Sequence, residues 1–119
     1  MTGIFEIEPL KVRGQFCLLA FKMYCQDKGL ALQDFGKHLF KDQTVDLFEL
    51  IDLMYFGCKA YSQLNSTTFE YSRAKFVNDF ENVEAEVIGG CVEKVLEVKL
   101  FGKSLLEPEV NSNKPSKKK

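Results

Sequence analysis

The 119-residue chain has no Trp, one His and three Pro. With a single imidazole, His38, and no flanking nucleophile or metal-ligand signature, the usual general-base constellations are missing. The four Cys, at 17, 25, 58 and 91, form no CxxC and no His–Cys pairing, so a zinc site has no support. The glycines form neither GxGxxG nor a Walker loop. No apolar run approaches the ~20 residues of a membrane span. The N-terminal MTGIFEIEPLKVRG carries Glu6 and Glu8 and lacks the apolar stretch of a signal peptide. Catalytic, cofactor and metal sites are therefore expected to be none, and the expected location is the cytoplasm, where reduced Cys behave as small core hydrophobes.

What the chain does have is packing material. Hydrophobic residues make up 45% and charged residues 28%, with eleven Phe and four Tyr, which suits one globular domain. Net charge is −1 and unevenly placed. Residues 1–106 hold 12 Lys/Arg against 15 Asp/Glu, whereas 107–119 hold four Lys against two Glu. An acidic body argues against nucleic acid as a partner, because phosphate binding needs clustered Lys and Arg. The ending PEVNSNKPSKKK lacks large apolar residues and reads as a disordered tail over 107–119.

The apolar spacing predicts an all-α fold, a compact bundle of four or five helices over 14–106, preceded by a short strand or arm over 1–13. Gly14 to Lys28 is apolar around most of its circumference and ends at a Gly29 C-cap. A short helix follows over 32–40. The longest, 45–63, is expected to be capped by Asp42 or Thr44, with Asp46, Glu49 and Asp52 as a solvated face. Thr67 and Glu70 have capping-box spacing and predict a fourth helix over 68–80. A fifth, 83–100, carries the stripe Val87, Ile88, Cys91, Val92, Val95, Leu96 and Val98, and its Gly89-Gly90 pair suggests a kink or a close helix crossing.

One irregularity points to a partner. On the wheel of the third helix, Leu47, Phe48, Leu50, Ile51, Met54, Cys58 and Tyr61 share one broad side. Val45, Leu53 and Phe56 lie opposite, among Asp46, Glu49, Asp52 and Lys59. Apolar residues ringed by acids match a dry contact with a polar rim. Either the fourth helix covers them or a second protein does, and they are the candidate partner-binding residues.

The order of these segments also resembles a family. Gly14-Gln15-Phe16-Cys17-Leu18-Leu19-Ala20-Phe21 leads through Tyr24-Cys25 to Gly29. Asp46-Leu47-Phe48-Glu49-Leu50-Ile51 then runs to Met54-Tyr55-Phe56-Gly57-Cys58-Lys59-Ala60, and a Thr68-started segment ends at Val77-Asn78-Asp79-Phe80. Across about residues 14–100 this is similar to the small helical tail assembly chaperones of long-tailed bacteriophages, although Phe80 stands where that family often has Trp. The resemblance implies a non-enzymatic protein of the infected bacterial cytoplasm that binds tail tube or tape-measure protein during tail assembly and self-associates. The alternative is a small helical adaptor or inhibitor, phage or bacterial, that binds another protein.

Overall fold

The computed structural model describes residues 3–42 and 44–104. It is mostly helical but not purely all-α: three two-stranded hairpins accompany the helices. The predicted tail, 107–119, lies outside the described residues.

The chain begins with a hairpin of β1 (Ile4–Ile7) and β2 (Val12–Gln15), antiparallel with Phe5 opposite Gly14. Phe5 and Ile7 are buried in the same hydrophobic cluster as the helices. Of the two alternatives for this region, a short strand forms at Ile4–Ile7, and β2 runs across the expected 13/14 boundary. Residues 14 and 15 belong to the ladder, so α1 starts later than its apolar run, at Leu18, and ends at Lys28 with Gly29 in the left-handed conformation. That conformation costs glycine little, and the Gly29 N–H closes the helix on the Cys25 carbonyl.

A 3-10 turn at Leu32–Asp34 leads into the short α2 (Phe35–Leu39), which buries Phe35 and Leu39. The hairpin of β3 (Phe40–Lys41) and β4 (Thr44–Val45) then delivers the chain to α3 (Leu47–Leu64). Asp46 is the N-cap, its carboxylate accepting the Glu49 N–H at 3.2 Å; neither Asp42 nor Thr44 holds that position. α3 is the spine. Leu50, Met54 and Cys58 face the core, and α1 and the β1–β2 hairpin both pack on it. The hairpin sits close to α3 at two glycines: a Cβ on Gly14 would lie 2.4 Å from the Phe5 ring and 2.8 Å from the Cys58 nitrogen, and one on Gly57 would lie 3.0 Å from the Gln15 carbonyl oxygen.

The predicted fourth helix is shorter and later than its sequence suggests. α4 spans Arg73–Asp79 and is capped by Ser72, which accepts the Lys75 N–H. Residues 67–72 are not helical. Phe69 and Tyr71 instead stack at 6.1 Å and join Tyr55 and Phe76 in an aromatic cluster that extends to Phe56 and Phe80. A 3-10 turn, Phe80–Asn82, precedes α5 (Ala85–Glu97), and a last hairpin pairs β5 (Lys99–Leu100) with β6 (Lys103–Ser104). No close crossing occurs at Gly89-Gly90: a Cβ on either would meet nothing within 4 Å.

Candidate functional site

The N-terminal half of α3 is where charge and exposed apolar surface meet. Two features stand there side by side.

The first is a half-buried ionic network joining four elements. The Tyr24 hydroxyl donates to Glu49 Oε1 at 2.5 Å, and Lys28 Nζ reaches Asp52 at 2.8 Å and Glu49 at 3.3 Å. Arg73 spans Asp27 at 2.9 Å and Asp52 at 3.2 Å, tying α4 to both α1 and α3. His38 Nε2 lies 3.5 Å from Glu49 Oε1. Asp46, Glu49 and Asp52 do recur along one side of α3, but Glu49 and Asp52 are largely covered and paired, so this face is a clasp and not a solvated one. Burial, followed by the hydrogen bond to Glu49, pushes the Tyr24 hydroxyl well above the ordinary tyrosine range. Hydrogen bonding to Arg73 holds the Asp27 carboxyl below the usual range. Burial opposes the Lys28 charge, yet Asp52 and Glu49 outweigh it and the net displacement is upward. The network holds opposite charges in register, and each carboxylate in it already accepts from a cation or hydroxyl.

The network also explains where the sequence-predicted contact residues went. Leu53 is fully buried and Phe56 is 9% exposed, while Val45 in β4 is half-buried. The Arg73 guanidinium lies over the Phe56 ring, 5.2 Å from its centroid, and Tyr55 packs edge-on against it. The wheel separated two apolar faces of α3, and α4 with its clasp covers part of the second. These three residues therefore form no exposed patch.

The second feature is the apolar surface that is left open. Leu47 is 44% exposed and Phe48, which the wheel placed on the core side, is 72% exposed. They occupy the first turn of α3 beside Asp46, which pairs with Lys41 at 3.3 Å, and near exposed Asp42. The missed signal is positional. In a first turn preceded by a two-residue hairpin, the wheel still assigns a face, but there is no preceding turn of helix for that face to pack under. Leu18, Leu64 and Phe101 are the other large exposed apolar side chains among the described residues.

Cys25, Cys58 and Cys91 are buried and Cys17 is half-buried, all as free thiols. Burial raises the Cys91 thiol to about 11 and pushes Cys58 higher still, so neither is an activated nucleophile. Among the described residues no group of three or more His, Cys, Asp and Glu is arranged to hold a metal ion. No described helix is long and apolar enough to cross a membrane. Compared with family models, curated proteins and solved structures, the chain has no match.

Proposed function

We propose that this chain is a non-enzymatic protein-binding module acting as a tail assembly chaperone, and that it holds tail tube or tape-measure protein in the bacterial cytoplasm. The observation that carries the protein-binding part is Phe48: a large aromatic, 72% exposed beside the 44% exposed Leu47, on the spine helix α3. Exposed aromatics on a rigid element are favoured anchors of protein interfaces, because they bury much area for little lost side-chain freedom. The contact moves from Val45, Leu53 and Phe56 to Leu47 and Phe48. The chaperone identity rests on the sequence resemblance over about residues 14–100.

Such a surface suits a client that displays apolar helices or unpaired strand edges before assembly. The test is co-expression with the tail tube and tape-measure proteins of the phage that encodes the chain. A complex that co-elutes on size exclusion supports the reading. Elution of the chain apart from both clients overturns the chaperone assignment and leaves the adaptor or inhibitor reading.

A further inference from the structure

One flank of α5 is only half covered. Ala85, Ile88, Val92 and Leu96 follow one another at helical spacing and line that flank. Ala85 is exposed and the other three are half-buried, whereas Cys91 and Val95, on the adjoining side, are buried in the core. Gly89 lies at the outer edge of the strip, and a Cβ there would meet nothing within 4 Å.

Beyond the strip runs a row of carboxylates. Glu86, Glu93 and Glu97 border it, and Glu81 and Glu84 stand before the first turn. All five are exposed, and none takes part in an ion pair among the described residues. In this they differ from Glu49 and Asp52, which Lys28 and Arg73 already hold.

The chain carries a segment that matches this surface in length, position and charge. β6 pairs Ser104 with Lys99, one residue past the Val98 C-cap, so whatever follows Ser104 starts beside the end of α5. Residues 105–119 include three large apolar side chains, Leu105, Leu106 and Val110, and four Lys, at 114 and 117–119. The 13 residues of α5 span about 20 Å at ~1.5 Å each. Six extended residues, 105–110, cover the same ~20 Å.

We propose that residues 105–110 run back along α5 as an extended strap, with Leu105, Leu106 and Val110 seated on the Ala85–Leu96 strip. Lys114, Lys117, Lys118 and Lys119 then reach the carboxylates at the start of the helix, Glu81, Glu84 and Glu86. Pro108 suits an extended path, because it fixes its own φ and keeps Glu107 out of the helical region. Residues 107–110 lie in the stretch that composition alone reads as tail, and the strip supplies the apolar surface which that stretch lacks. The contact is small, but a segment joined to its site acts at about millimolar effective concentration, which favours it over a free partner. The strap is separate from the Phe48 surface and does not depend on the chaperone reading.

Nuclear magnetic resonance of the full chain with isotope-labelled methyl groups tests this. Methyl–methyl Overhauser contacts are expected between Leu105, Leu106 or Val110 and Ile88, Val92 or Leu96, unchanged on dilution. In a mixture of labelled and unlabelled chains, no such contact should pass between molecules. Leu105→Ser combined with Leu106→Ser, both outside the core, is expected to abolish the contacts and shift the Ile88, Val92 and Leu96 methyl signals, leaving those of Leu50 and Leu53 in place. Exchanging the exposed Glu81, Glu84 and Glu86 for Gln is expected to move the amide signals of residues 114–119 in the direction that added salt does. Absence of the contacts, or contacts that pass only between molecules, overturns the proposal. So does a tail variant whose α5 methyl signals match the wild type, or a Gln variant that leaves residues 114–119 unmoved.

Discussion

At the scale of single residues, exposure and not hydrophobicity separates Phe56 from Phe48. Both are Phe on the same helix. Phe56 is covered by the Arg73 guanidinium and by Tyr55, whereas Phe48 is open. Phe56→Asp places a carboxylate among aromatic rings and should cost at least the ~3–5 kcal/mol of a core Phe truncation. The expected outcome is a protein that fails to show a cooperative urea transition, or shows it at much lower midpoint. A variant that melts like the wild type would mean that this ring carries little of the core. The sequence alone cannot rank the two residues, because a helical wheel records angle around the axis and not which neighbouring segment arrives. Arg73 lies 17 residues downstream of Phe56, and nothing local announces that its fork closes on Asp27 and Asp52.

At the scale of elements, period and punctuation made most of the helices legible, and tertiary competition moved their ends. α1, α3 and α5 lie inside the spans that their apolar stripes predict, apart from one residue at the end of α3. α4 is the instructive miss. Thr67 and Glu70 have the right spacing for a capping box, but Phe69 and Tyr71 alternate with a period of two, and both packed in extended chain reach Tyr55 and Phe76. That burial outweighs a cap of roughly 1 kcal/mol, and Ser72 caps the helix instead. β2 was hidden for the opposite reason: its inward positions include Gly14 and Gln15, which carry no apolar signal.

The glycines test this element-level account in opposite directions. Gly14→Ala should destabilise by about 1–3 kcal/mol, because the added methyl collides with the Phe5 ring and the Cys58 backbone. Gly89→Ala, in open space inside α5, should stabilise by roughly 1 kcal/mol. Urea denaturation of both variants checks the pair. Equal effects of the same sign would contradict the placement of the hairpin on α3.

At the scale of the whole molecule, the ionic clasp links folding to pH. The Asp27 carboxyl is held below its ordinary value of 3.8, first by its hydrogen bond to Arg73. A carboxyl with a depressed folded pKa stabilises above its unfolded pKa, and that contribution is lost as pH falls through the folded value. Stability should therefore decline from about pH 4 downward. In Asp27→Asn the difference from wild type should be largest near neutrality and shrink across that window, as followed by thermal melting at stepped pH. A gap that stays constant into strong acid would show that Asp27 acts through packing instead of charge.

The central claim is that Phe48 serves a partner and not the fold. The most direct measurement pairs the thermal melting of Phe48→Ser with its co-elution with the tail tube and tape-measure proteins. The expected result is a wild type that co-elutes with a client, and a variant with an unchanged melting temperature, to within a few degrees, that does not. A variant that keeps its client, or one that loses the fold together with the client, would contradict it.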